Sequence, residues 1–431
     1  MKTKLIKLNN GGELLYYPRR TSRATMITLT FKAGYLNEPY NKKGLAHFCE
    51  HAIMSFSTKT KTQKMKNKIN NELLIAASTN TSYITFHYLG LYEEVMKALD
   101  FLMDSILNLT YNQEEFEREK SIILNEINYK KSKEIDELSV FLPKIYMNKY
   151  AKHFELSSIG DEKTLKNIKI NDVKEFKENF ITLNNLTAMI GGNASAKQAK
   201  QIAKILNKLP SSNHKGTIIQ DLQTFRQPFY TLVHDKNAHQ TTICLRYRFH
   251  PIKNGFDLKT DLFYTIINAS MHGLLNKYFR EEKGLCYSVH SYPENIGNSC
   301  FLRIEIPSNA SVENLLENYN TFIANLTKDN LKKAYDFIIK DMLKQINFDS
   351  MPLYATCKNV LNNYQIYHRL SSSNLDDEKM KIIKNFDFED FYLRIKETLS
   401  SKPYLSIVSN DETLKDFDYK AFTKNLKLNL K

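Results

Sequence analysis

The string GLAHFCEHAIMSF at residues 44–56 sets two histidines, His47 and His51, one helical turn apart with an acid, Glu50, beside them. On a helix advancing about 100° per residue, with His47 at zero, Glu50 falls near ~300° and His51 near ~40°, so the three share an arc of roughly 100°. Two imidazoles so placed can bind one metal ion. The carboxylate beside them reaches a neighbouring water more easily than it reaches the ion. The order is H-x-x-E-H, the reverse of H-E-x-x-H. With 11 histidines in 431 residues, composition predicts roughly 0.02 such strings, so coincidence is a poor account. A lone histidine on an apolar face is usually a satisfied core residue, but a pair at ligand spacing around an acid needs partners for its charge. Cys49 lies near ~200° on the same wheel, away from the metal face, and reads as packing.

A zinc site takes three protein ligands and keeps a fourth position open. Residues 113–132, QEEFEREKSIILNEINYKKS, form a strong helix with acids early and lysines late, as the helix dipole prefers. It offers Glu119 and Glu126, seven apart and so on one face, about 20° off register. Acids on a helix are usually solvated, but Glu126 interrupts the apolar run SIILNEI, where an acid is either costly or paired.

The elements that must position these residues follow a repeated order. MITLTFKAG at 26–34 alternates like a strand, a helix begins near Leu45, and YITFHYLG at 83–90 is a second strand. Helical spacing runs over 92–108, and NNLTAMIGGN at 184–193 is a strand ending in a Gly-Gly turn. The Pro/Ser/Asn/Gly-rich stretch 208–228 reads as a linker. Beyond it the order recurs: a strand at 240–249, a helix at 260–279, a strand at 301–307, helices at 313–327 and 329–346, and a strand at 403–410. The expected fold is α+β, with two homologous domains, 1–215 and 216–431, each a mostly antiparallel sheet packed against helices. The second half has no histidine pair or acid where the first has His47, Glu50 and His51, so one half is equipped for the chemistry.

Composition narrows the classes. A hydrophobic content of 42% with 25% charged residues is globular. No run of about 18 apolar residues predicts a membrane span, and the amino terminus lacks the apolar core of a secretory signal, which predicts a cytoplasmic protein. Five scattered cysteines without a C-x-x-C pair argue against disulfides or a zinc ribbon. The net charge of +14 comes from lysines spread along the chain, with no groove-reading motif, so no nucleic-acid role is expected. The densest run, TKTKTQKMKNK at 58–68, reads as a solvated face, or as an attractor for an acidic peptide.

HFCEH together with Glu126, 75 residues after His51, resembles the pitrilysin/insulinase-like inverzincin peptidases. REEKGLCYSV at 280–289 is similar to the second signature of that family, R-x-x-x-G-L-x-Y. Length, duplicated halves and element order resemble the mitochondrial-processing-peptidase-like branch. The resemblance implies one zinc ion per chain held by His47, His51 and Glu126, with Glu50 as general base. It implies support of the site by Glu119, and Arg280 and Tyr287 reaching a bound peptide and its developing oxyanion from the second half. It implies a clamshell-like chamber and a zinc-dependent endopeptidase for short or unfolded peptides, with processing or maturation of a small peptide as a candidate context. The chain would work as a homodimer or as a heterodimer with a related chain. The alternative is a non-catalytic, peptide-binding partner subunit of a peptidase heterodimer. The chain departs from the family in carrying Ala76-Ala77 where an Asn-Ala pair is usual on the edge strand, and Cys49 where a bulkier apolar residue is usual. Without the motif, Arg280 would read as a surface ion pair with Glu281 and Glu282, and Tyr287 as core.

Overall fold

The computed structural model describes residues 3–19, 22–131, 137–145, 159–218, 226–249, 258–296, 299–348, 353–367, 375–411, 418–426, 428 and 430. In chain order the first elements are β1 (Lys4–Lys7), β2 (Glu13–Pro18), β3 (Ala24–Phe31), α1 (Leu45–Ser55), α2 (Gln63–Leu73), β4 (Ala76–Thr79) and β5 (Ile84–Leu91). Then come α3 (Val95–Leu107), α4 (Gln113–Lys131), α5 (Glu137–Ile145), α6 (Glu162–Asn167), α7 (Ile170–Phe180), β6 (Leu186–Gly192) and α8 (Ala196–Leu206). The later elements are β7 (Tyr230–His234), β8 (Thr241–Phe249), α9 (Leu258–Asn276), β9 (His290–Ile296), β10 (Ser299–Ser308), α10 (Val312–Ala324) and α11 (Lys328–Phe348). The chain closes with α12 (Leu353–Tyr367), α13 (Leu375–Lys384), α14 (Phe388–Ser400), β11 (Tyr404–Ser409) and α15 (Tyr419–Asn425). The α+β class expected from the alternating patterns is what the chain adopts.

Two sheets organise these elements. The first has the order β1-β2-β6-β3-β5-β4 and the second β7-β11-β8-β10-β9. In each, β2–β6 or β7–β11 is the one parallel pair and the remaining described pairs are antiparallel. With β1 set aside, both sheets have the same connectivity, first-fifth-second-fourth-third, so the repeated element order read from the sequence appears in the hydrogen-bond ladders.

The chain forms two compact units, and they are not two contiguous halves. Helix α5 belongs with the second sheet and α12 with the first, whereas halves cut at 215/216 would assign them the other way. The packing explains why. At the end of β6 a Cβ on Gly191 would stand 2.2 Å from Cys357 Sγ, and one on Gly192 would stand 2.8 Å from Leu353 Cδ2. The glycine pair therefore lets α12 lie against the strand. It remains in the ladder with β2 and β3, although Gly192 has φ +101°. In the second unit, Phe141 of α5 stacks on Phe229 and on the buried Arg246 guanidinium, 4.1 Å from its ring centroid.

The core of the first unit fills the space between its sheet and α1, α3, α4 and α7. Helix α1 contributes Leu45, Ala46, Phe48, Cys49, Ala52 and Ile53, all buried. Helix α4 begins after Asn112, whose side-chain oxygen accepts the Glu114 N–H at 2.8 Å. It packs on α1 through Phe116, whose ring stacks on Phe48 with centroids 4.8 Å apart. Both rings are nearly inaccessible to solvent. The sequence reading of 58–68 as solvated holds only in part: α2 turns Lys66 inward, where it is fully buried. None of the described helices is long and apolar enough to cross a membrane. Removing the Phe116 ring by Phe116→Ala should leave a cavity between α1 and α4 and destabilise the first unit by about 3–5 kcal/mol, read as a fall in the midpoint of urea unfolding.

Candidate metal centre

The helix wheel over α1 puts His47, Glu50 and His51 on one side of a helix whose other sides are core. Helix α4 crosses that side, and the Phe48–Phe116 stack fixes the contact one residue from His47. Glu119 and Glu126 thereby face the two imidazoles. One oxygen of Glu126, Oε2, lies 3.0 Å from His47 Nε2 and 3.9 Å from His51 Nε2. The rings of His47 and His51 have centroids 4.5 Å apart and an interplanar angle of 72°. One potential ligand atom from each of His47, His51 and Glu126 lies within 4.8 Å of the other two. Ligand atoms around a tetrahedral zinc at bonds of about 2.1 Å stand about 3.4 Å apart. Two imidazole nitrogens and a carboxylate oxygen at these separations fit such an ion with small side-chain rotations. It is the one three-residue group of this kind among the described residues.

The neighbours fix each member. His51 Nδ1 lies 3.1 Å from Glu119 Oε2, which leaves Nε2 on the side of Glu126. Glu119 is buried, with 6% of its side chain exposed. A carboxylate there holds the ring orientation and makes the other nitrogen a better donor. Read alone, Glu119 would be a solvated acid; its burial against an imidazole is a tertiary fact. Glu50 Oε2 is 3.7 Å from His47 Nδ1 and accepts the Thr79 hydroxyl hydrogen at 2.6 Å. Lys130 Nζ stands 3.4 Å from the outer oxygen of Glu126.

The charges are coupled. Burial pulls the His47 imidazole toward neutrality, but Glu50 and then Glu126 outweigh it and raise its pKa above the ordinary value. Glu126 is pushed up by burial, and the hydrogen bond and charge of His47, with Lys130 and His51, hold it below the usual carboxylate range. An anionic oxygen within reach of two imidazole nitrogens is a donor set for a cation.

Thr79 was not among the residues singled out from the sequence. It ends β4, the edge strand of its sheet, and only the docking of α1 on that strand brings it to Glu50. Ala76 and Ala77 begin the same strand, paired with His87 and Phe86 of β5 across a turn at 80–83. Cys49 is buried in the core, as its angle predicts.

Arg280 and Tyr287 lie in the second unit. The expected helix at 260–279 is α9, which ends at Asn276 and widens into a π-helical turn over Lys277–Glu282 that carries Arg280. Such turns are frequent at functional positions. Gly284, just beyond this turn, has φ +61°, in the left-handed region that favours glycine. Asn276 closes the base of the loop: its side chain accepts the Val289 N–H at 2.9 Å and donates to the Val289 carbonyl at 3.1 Å. The Arg280 guanidinium stands 4.9 Å from the Tyr287 ring centroid. Tyr287 is 79% exposed, which corrects its reading as a core residue from type alone, because it lies on the loop between the π-helical turn and β9 and not on a strand or helix of the core.

Comparison with known proteins agrees with this geometry. Residues 15–159 match the family model "Insulinase (Peptidase family M16)" and residues 167–335 the model "Peptidase M16 inactive domain". The chain is 24% identical over 331 residues to the uncharacterized zinc protease YmxG of Bacillus subtilis, covering 75% of this chain and 78% of the relative. It is 27% identical over 298 residues to an uncharacterized zinc protease of Rickettsia felis, covering 68% of this chain and 70% of that one. Among solved structures, the first half of the periplasmic protease PqqL of Escherichia coli superposes with a TM-score of 0.76 at 15% identity, over 100% of this chain and 98% of that one. A peptidase M16 inactive domain from Pseudomonas fluorescens gives 0.76 at 16% identity, over 97% and 100%. The two family models fall on the two successive parts of the chain, and the protein belongs to the insulinase-like M16 peptidase family.

Proposed function

We propose that the protein is a zinc-dependent endopeptidase of short or unfolded peptides. The observation that carries this reading is the convergence of His47, His51 and Glu126, with Glu50 beside them but outside the ligand set. Zinc, when bound, supplies a Lewis acid for the scissile carbonyl and makes water a nucleophile near neutral pH. The chain does the rest. His47, His51 and Glu126 would hold the ion, and Glu119 fixes the His51 ring through Nδ1. Glu50 takes the proton of the attacking water at its carboxylate and returns it to the leaving amine. The Thr79 hydroxyl holds one Glu50 oxygen, so the other is the free base. Tyr287, exposed and stacked with Arg280, is the donor assigned to the developing oxyanion, with Arg280 on the peptide. Strand β4 pairs on one side with β5, and its other edge is where an extended peptide would add as a strand.

The names of the relatives, zinc proteases, support a peptidase. The length and the paired units support a place near the mitochondrial-processing-peptidase-like members, working as a homodimer or beside a related chain. A peptide-binding partner subunit would have no use for a base held beside the ligand set, so the position of Glu50 favours the hydrolase.

Three outcomes test this reading. Purified protein should contain about one zinc per chain by elemental analysis, and Glu126→Gln should lose most of it; full peptidase activity in metal-free protein would end the zinc reading. Glu50→Gln should keep zinc and fold while its turnover of a mixed peptide library, followed by mass spectrometry, falls by about 10²–10⁴-fold. Wild-type protein that holds zinc yet leaves the library intact would point to the partner-subunit role. Tyr287→Phe should lower kcat by roughly 10²-fold with zinc content unchanged; an unchanged kcat would remove Tyr287 from the oxyanion role.

A further inference from the structure

Helix α1 carries His47, Glu50 and His51, yet it lacks the end signals that fix a helix. Its N-cap is Gly44, at φ +92° and without a side chain, its first turn has no acid and its last turn no base. The charges arrive from elsewhere. At the amino end the buried carboxylate of Glu38 accepts the Ala46 N–H at 2.7 Å and the Gly44 N–H at 3.2 Å. At the carboxyl end the ammonium of Lys66, from α2, donates to the carbonyls of Ile53 at 2.6 Å and Phe56 at 2.9 Å. These are backbone groups that the helix cannot satisfy itself. Each charge has the sign that the macrodipole favours at its end.

Both groups are held where charge is costly. Glu38 has Lys43 Nζ at 3.7 Å, and that ammonium also donates to the Tyr35 carbonyl at 3.1 Å. Burial pushes the Glu38 carboxyl up to about 7 against the pull of Lys43. Burial brings Lys66 down to about 7, against the pull of Asp104 and Glu115 and with the push of Lys61. An apolar side chain in place of Lys66 would avoid that desolvation. What the two charges contribute together is an axial fix, because a slide of α1 along its axis lengthens the bonds at one end. His47 and His51 lie between the two anchors, and a metal centre tolerates errors of about 0.5 Å.

We infer that Glu38 and Lys66 are positioning residues that clamp the two ends of α1 and thereby hold His47 and His51 in ligand register with Glu126. The inference rests on the reading of those three residues as a metal site. The test uses the full chain stripped of metal and titrated with Co²⁺, with the visible d–d spectrum and chelator competition as readouts and thermal unfolding in parallel. The proteins compared are wild type, Lys66→Met, Lys66→Arg, Glu38→Gln and the ligand control Glu126→Gln. Lys66→Met should weaken Co²⁺ binding tenfold or more and alter the spectrum, and Lys66→Arg, which keeps the donors, should recover affinity to within about threefold of wild type. Glu38→Gln should weaken binding at least threefold, and it decides the matter if Lys66→Met does not fold. Variants that melt earlier but bind Co²⁺ with wild-type affinity and spectrum would overturn the clamp and leave the metal site standing. A wild-type chain that fails to bind Co²⁺ would overturn the metal site and the clamp with it.

Discussion

Two imidazoles on one helix turn need a third protein ligand from elsewhere to close a metal centre, and the approach of α4, which carries Glu126, to α1 is the constraint on which the candidate site depends. The stacked rings of Phe48 and Phe116 set that approach in a dry core. Phe48 follows His47 directly, so the packing contact and the chemical contact belong to the same turn of helix. Ten residues beyond Phe116, and so one further helical stretch along α4, Glu126 Oε2 meets His47 Nε2. Apolar packing, which is strong and non-directional, brings the helices together, and the polar pairs, which are directional, select one arrangement of them.

The polar layer is then built so that no member stands alone. Glu119 holds His51, Thr79 holds Glu50, and Lys130 neutralises the outward oxygen of Glu126. A buried charge without such partners would be too costly to keep. The same logic extends past the site to the helix that carries it, where Glu38 and Lys66 meet the unsatisfied amides and carbonyls of α1. The polar groups around the candidate centre therefore form successive layers, with the outermost acting on backbone and the innermost on imidazole nitrogen.

Duplication explains the rest of the plan. Both sheets follow one connectivity, with the parallel pair in the same place. The second unit carries no counterpart of the histidine pair among its described residues. It presents Arg280 and Tyr287 on a π-helical turn closed by Asn276.

The sequence alone singled out His47, Glu50 and His51 as a candidate metal-site cluster and gave the repeated order of strands and helices, because both follow local periods: 3.6 residues per turn for the cluster and alternation for the strands. It also marked Glu126, an acid in an apolar run. Resemblance to a family, not spacing, chose Glu126 over Glu119 as a ligand and pointed to Arg280 and Tyr287. Tertiary structure decided what no local period encodes. It placed Thr79 on Glu50, buried Glu119 against His51, turned Lys66 from a lysine-rich surface run into the core, and lifted Tyr287 out of it. It also moved α5 and α12 to sheets that a single cut in the chain would not give them. Each of these depends on which surfaces meet across large separations in sequence, and burial, which sets the energy of a charge, is a property of that meeting and not of the residue.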